Sequence, residues 1–239
     1  MARKNIEVDN KHFDISYEIL NPRGKKNLII LHGWASSKDL MKNVFSPYLK
    51  NYKHIYIDLP GFGKSPTKEV LDVYLYTKII DAFLNSIDAS KDIIMGHSYG
   101  GKVATLLNPK NLVLLSSAGI IEEKSAQVKL KIKLSKILNT MGLSKITKLF
   151  RSKDVDNMSE NMYATFKNAL KEDLREEFKN FSNKAFIFWG EEDTAASFTA
   201  GKQIHVLIKN SEMISYKDDH FFFMKHAKDI TQRIEHGIS

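Results

Sequence analysis

The sequence predicts an α/β protein with a mainly parallel central sheet, and three observations carry that prediction. Short apolar runs rich in β-branched residues alternate with helix-length segments. The first two runs are separated only by a turn, as in a hairpin. From Ile121 onward the alternation stops, and it resumes near Asn183. In order, 5–8 and 13–20 flank Asp9 and Asn10, residues that tolerate turn conformations, so an antiparallel hairpin leads into the fold. Candidate strands follow at 27–31, 54–59, 92–95, 111–116, 184–189 and 212–216. Helix-length segments lie between them at 39–50, 70–87, 99–107, 195–208 and 221–236.

The interruption at 121–183 reads as helices with no buried strand between them. It is expected to be a small helical cap, or lid, inserted into a single domain that spans 1–239. Within it Leu130, Leu134, Ile137, Leu138 and Met141 fall at helical spacing, although 129–134 also alternates as a strand would; length favours helix. Residues 124–153 are the most basic stretch of the chain. That charge reads equally as a preference for anionic or carboxylate-bearing substrates and as a solvated lysine-rich face.

Composition narrows the function classes. With 43% hydrophobic and 10% aromatic residues among 239, the chain can bury a sizeable core, which argues against wholesale disorder. Zero cysteines exclude disulfides, thiolate metal sites and a cysteine nucleophile, so covalent chemistry must use another side chain. No apolar run approaches the roughly 18 residues of a membrane span. Residues 1–11 are polar where a signal peptide would carry an apolar core, which points to a cytoplasmic protein. The formal charge is +8, but the lysines are scattered, with no zinc-finger spacing, no RNP-like aromatic signature and no bare basic tail. The reading is therefore no nucleic-acid partner, but a mildly positive field that favours anionic ligands or acidic partners.

Chemistry concentrates at Gly96-His97-Ser98-Tyr99-Gly100-Gly101, which follows the strand at 92–95 and precedes a helix. A G-x-S-x-G nucleophile elbow puts its serine in a strained strand-to-helix turn, and Gly96 and Gly100 supply the flanking positions where side chains would collide with backbone. The bare pattern also fits a plain glycine-rich turn; its place between strand and helix favours the nucleophile.

Four further motifs accompany the elbow in chain order: His32-Gly33-Trp34, Asp58-Leu59-Pro60-Gly61-Phe62-Gly63-Lys64-Ser65, Trp189-Gly190-Glu191-Glu192-Asp193 and Asp219-His220-Phe221. With them the sequence resembles the α/β-hydrolase fold family over nearly its whole length. The resemblance implies a Ser-Asp-His triad in that chain order, which maps to Ser98, Asp193 and His220. It further implies an oxyanion hole from the backbone N–H groups of Trp34 and Tyr99, with His97 a backbone-shaping residue of the elbow. Glu191 and Glu192 rival Asp193, but family spacing favours the third acidic residue, and Leu114–Gly119 carries no carboxylate at the alternative position that some relatives use. Asp218 and Asp219 read as turn formers, and Asp58 and Ser65 as holders of local turn structure. The helix after the elbow should be short, because only 102–109 separate Gly101 from the next strand.

The implied chemistry needs no metal and no organic cofactor. Relatives with this triad cleave esters, thioesters, peptides and carbon-carbon bonds, so the fold does not choose among them. His32–Ser37 and His97 look more like carboxylesterases, including those acting on acyl-carrier methyl esters. The first expectation is a serine hydrolase acting on a small ester or acyl substrate, carboxylate-bearing or carrier-linked substrates included. Carbon-carbon hydrolysis of the 2-hydroxy-6-oxo-dienoate type stands second, and a non-catalytic binding module on the same fold third.

Overall fold

The computed structural model describes residues 2–122 and 158–238. Eight strands form one sheet: β1 (Ala2–Val8), β2 (Lys11–Leu20), β3 (Asn27–Leu31), β4 (Lys53–Ile57), β5 (Ile93–His97), β6 (Asn111–Leu115), β7 (Lys184–Gly190) and β8 (Ser211–Tyr216). Their order is β1-β2-β4-β3-β5-β6-β7-β8. β1 pairs antiparallel with β2, and β2 antiparallel with β4; every later pair is parallel. The hairpin turns at Asp9 and Asn10, both at positive φ, as their tolerance of the left-handed region allows.

The helices are α1 (Lys38–Phe45), α2 (Val73–Ser86), α3 (Tyr99–Leu106), α4 (Glu160–Ala169), α5 (Arg175–Asn180), α6 (Phe198–Leu207) and α7 (Phe223–Ile238). All five helices expected outside the lid segment begin or end inside their expected bounds, three of them for evident local reasons. α1 stops before Pro47, which has no N–H for the helical ladder. α2 starts only after Asp72, whose side chain accepts from the Leu75 N–H at 2.8 Å. α6 starts after Ser197, whose hydroxyl accepts from the Ala200 N–H. α3 is as short as expected, at eight residues.

Strand alternation builds two cores. Ile29 and Leu31 of β3 face a layer made by α2, α3, α5 and α6; Leu28 and Ile30 face α1 and α7. Both faces are covered, so the central strands read as unbroken apolar runs. α7 shows how the second layer is coded: its buried Phe223, Ala227, Ile230 and Ile234 recur at helical spacing on one stripe.

Of the segment expected as a lid, 121–122 and 158–183 are described, and they hold α4 and α5 without a strand. The basic stretch and the 130–141 helix lie outside the described residues. α4 is fastened to the loop before α2: Thr165 Oγ1 accepts from the Leu71 N–H, Asn161 donates to Thr67 and Glu69, and Asn168 donates to Leu71.

The chain crosses from one side of β3 to the other when it passes from β4 to β5. Loops leaving the C-terminal ends of β3 and β5 therefore diverge, and the crevice they leave is where open α/β sheets bind ligands. The loop 32–34 and the turn at Ser98 are those two loops. Among the described residues no helix is long and apolar enough to cross a membrane.

Candidate active site

Ser98 sits between β5 and α3 at φ 51 and ψ −116, a strained conformation for a residue with a side chain. The surrounding glycines make the turn possible by close approach. A Cβ on Gly96 would lie 2.3 Å from the Gly100 carbonyl oxygen, and one on Gly100 would lie 2.5 Å from that of His32. The turn is pinned on both sides, by Ser98 N–H to the Leu115 carbonyl and by Ala118 N–H to the Ser98 carbonyl, each at 3.0 Å. Gly33 closes the other wall: a Cβ there would stand 3.1 Å from Ser98 Cβ.

Asp193 and His220 meet directly, with His220 Nδ1 donating to Asp193 Oδ2 at 2.6 Å. The other oxygen, Oδ1, accepts the N–H groups of Ala195 and Ala196 at 2.8 and 2.9 Å. Burial by itself would raise the Asp193 pKa. The hydrogen bonds from His220 and Ala196, with help from Ser116, outweigh it and hold the carboxyl below its ordinary value. The neighbouring acids take other work: Glu191 accepts from Ser215 at the surface, Glu192 is exposed, and Asp218 pairs with Lys225. Asp219 accepts the Phe221 N–H and so shapes the turn that carries His220.

His97 joins this pair to the serine turn. Its Nε2 lies 3.2 Å from the His220 carbonyl oxygen, so that nitrogen carries the proton and donates, and its ring packs 4.6 Å from the His220 ring. Burial, and then the neighbouring His220, push its pKa down to about 3 and keep it neutral. Ser98 Oγ and His220 are not hydrogen-bonded to each other, and catalytic hydrogen bonds in unliganded sites often close only around substrate. Among the described residues neither the Trp34 nor the Tyr99 backbone N–H donates to an acceptor. The Trp34 side chain is half-buried, with its ring against Phe62, Tyr99 and Phe166.

A second buried cluster supports the loop 32–34. Asp58 and Lys38 form an ion pair at 2.6 Å with both side chains fully buried. Burial would raise the Asp58 pKa, but hydrogen bonds from the Lys38 side chain and from the Lys38 and Lys64 N–H groups bring it below the ordinary value. A Cβ on Gly63, at φ 55, would collide with this carboxylate. Ser65 accepts the Ser16 N–H. Asp58 and Ser65 thus hold local structure, as the sequence suggested. His32 completes the cluster: Leu59 N–H donates to its Nε2, so its Nδ1 carries the proton and donates to the Gly33 carbonyl. Burial pushes its pKa down to about 4.

Sequence reasoning assigned no role to four buried residues around the site: Lys38, Ser116, Gly190 and Lys102. Lys38 follows two serines like any helix-start lysine, and nothing local marks it as fully buried. Ser116 lies at the end of β6, where only the missing carboxylate drew attention. Gly190 leaves no room for a side chain, since a Cβ would come 2.2 Å from the Asp219 carbonyl oxygen; its position beside Trp189 in the β7 motif was the available signal. Lys102 is buried against α4, a contact with no mark in the sequence.

Comparison with known proteins agrees with this architecture. The model of the α/β hydrolase fold family matches residues 26–117. The chain is 26% identical over 234 residues to the uncharacterized hydrolase YugF of Bacillus subtilis, covering 84% of this chain and 85% of that one. It is 30% identical over 107 residues to a pimeloyl-[acyl-carrier protein] methyl ester esterase of Wigglesworthia glossinidia brevipalpis, a match covering 42% of this chain and 40% of that one. Among solved structures, an esterase from Exiguobacterium antarcticum superimposes with a TM-score of 0.76 at 19% identity, covering 98% of each chain.

Proposed function

We propose that this chain, whose residues 26–117 match the α/β hydrolase fold model and whose fold is that of solved esterases, is a serine hydrolase cleaving a carboxylic ester or related acyl bond through an acyl-enzyme. The observation that carries the reading is the buried Asp193–His220 hydrogen bond, set through His97 beside a strained Ser98 turn. Ser98 is the nucleophile, and His220 takes its proton as the hydroxyl attacks the acyl carbon. Asp193 fixes the imidazole with Nδ1 protonated, which leaves Nε2 as the base, and its charge stabilises the imidazolium that forms. The Trp34 and Tyr99 N–H groups hold the oxyanion. His220 returns the proton to the leaving alcohol, then activates the water that releases the acid. The described helices α4 and α5 belong to a cap over this site. Substrates of acyl-carrier ester type fall within the same chemistry, which the named esterase relative supports.

The test is turnover of p-nitrophenyl esters of increasing acyl length by wild type and Ser98→Ala, alongside a fluorophosphonate label. Turnover and labelling that both vanish in Ser98→Ala, a loss of several orders of magnitude in rate, support the reading. Ester turnover retained by that variant overturns it. Labelling without ester turnover redirects the assay to carbon-carbon substrates.

A further inference from the structure

Lys102 lies one helical turn beyond Ser98 in α3, yet its side chain is 3% exposed. Its ammonium donates to the carbonyl of Ala169, the last residue of α4, at 2.8 Å. It also donates to the Glu172 carbonyl at 3.0 Å and pairs with Glu172 Oε2 at 3.2 Å. An ammonium has three N–H donors, so none is left for a substrate. The cation also sits at the negative end of α4. The second Glu172 oxygen, Oε1, accepts the Val73 N–H at the start of α2, which ties three helices at one point.

The other end of the same tether reaches the oxyanion loop. Phe166, one turn before Ala169, sets its ring 5.3 Å from that of Trp34, and Met162 packs over Gly61 in the adjoining loop. Because α4 spans the distance between the ion pair and Trp34, holding its C-terminus on α3 fixes where Phe166 presses.

We propose that Lys102 is a positioning residue for the reaction: by clamping α4 to the nucleophile helix it holds the Trp34 backbone, through Phe166, in place for the oxyanion. The inference rests on the serine-hydrolase reading for its catalytic consequence, whereas the clamp itself can be read without activity. Burial lowers the Lys102 pKa against the opposing attraction of Glu172, so the ammonium is held by geometry that the surrounding packing supplies.

The test compares Lys102→Met, Phe166→Leu and the double variant. Fluorophosphonate stoichiometry counts folded sites, and kcat is expressed per labelled site. The expected result for Lys102→Met is full stoichiometry, kcat lower by about 10- to 100-fold and KM within about threefold, since misplacement of oriented groups costs rate of this order. Phe166→Leu leaves the ion pair untouched and should give a smaller loss in the same parameter. The double variant should lose no more than Lys102→Met alone. Multiplicative losses, an unchanged kcat, or reduced stoichiometry with normal turnover per site would each overturn the proposal. Acrylamide quenching supplies the independent readout, because of the two tryptophans Trp189 is fully buried and Trp34 is not. Lys102→Met should increase quenching even if wild type proves to have no esterase activity; unchanged quenching overturns the clamp whatever the activity.

Discussion

Asp58 and Asp193 begin from the same chemistry and end in different roles. Each follows the C-terminal end of a buried strand, β4 or β7. Each carboxylate accepts two backbone N–H groups and a side-chain donor at 2.6 Å. In each, hydrogen bonding overcomes the upward push of burial and keeps the acid ionised. The partner makes the difference. Lys38 is enclosed on all sides, so its pair with Asp58 can only hold structure. His220 leaves its second nitrogen unspent, and its side chain retains 15% exposure. On the proposed reading, a carboxylate becomes a clamp or part of a proton-transfer relay according to whether its partner can exchange a proton with something outside.

The largest effect should come from breaking that distinction on the reactive side. Asp193→Asn removes the acceptor that fixes the His220 tautomer, and kcat should fall on the order of 10⁴-fold, the scale known for that change in serine proteases. The melting temperature should move little, because the carboxamide fills the same space and still accepts from Ala195 and Ala196. A kcat within tenfold of wild type would remove Asp193 from the triad.

Asp58→Asn should produce the converse. Lys38 would be left as a buried charge without its counter-ion, a loss of about 3–5 kcal/mol. At roughly 2–4 °C per kcal/mol for a chain of this size, the melting temperature should fall by about 6–20 °C. Turnover per folded molecule should stay within about threefold. A denaturation curve measured beside active-site titration separates the two quantities, and unchanged stability would show the pair to be dispensable.

The two regions were not equally legible in the sequence. The reactive one was marked in four loops: Ser98 by its flanking glycines, Asp193 and His220 by motifs after late strands, and Trp34 by His32-Gly33 before it. These signals exist because a strained turn or a close approach of backbones permits few residue types. The sheet was legible for a similar reason, since strands buried on both faces must be apolar throughout. Lys38, Lys102 and Ser116 were not legible. A lysine's burial depends on which distant carbonyls and carboxylates fold over it, as Glu172 does across seventy positions, and no local pattern encodes that. Helix limits failed by a few residues wherever a cap decided them, at Asp72 and Ser197.

His32 links the regions, since it bonds to Leu59 beside Asp58 and to Gly33 beside Ser98, and it gives the comparison a pH dependence. Its pKa is near 4 in the folded chain against about 6.5 unfolded. Between those values the unfolded chain takes up a proton that the folded chain refuses, so stability falls as pH drops from 6.5 to 4. His97 acts in the same direction and extends the window to about 3. His32→Gln should reduce the slope of unfolding free energy against pH in this window by up to about 1.4 kcal/mol per pH unit, the contribution of one proton. An identical slope would show that His32 takes up its proton without unfolding.

The smallest expected effect sharpens the choice of acid. Glu191 and Glu192 stand within two residues of Asp193, and sequence order alone does not eliminate them. Their N–H groups bond to the Tyr216 and Asp218 carbonyls, which turns both side chains outward while Asp193 turns in. Surface carboxylates so placed contribute at most about 0.5 kcal/mol. Glu191→Gln and Glu192→Gln should therefore leave kcat within about twofold and the melting temperature within about 2 °C. A loss of kcat at either position approaching that of Asp193→Asn would mean that the loop exchanges acids during turnover, and the fixed Asp193–His220 bond would then describe only one of its states.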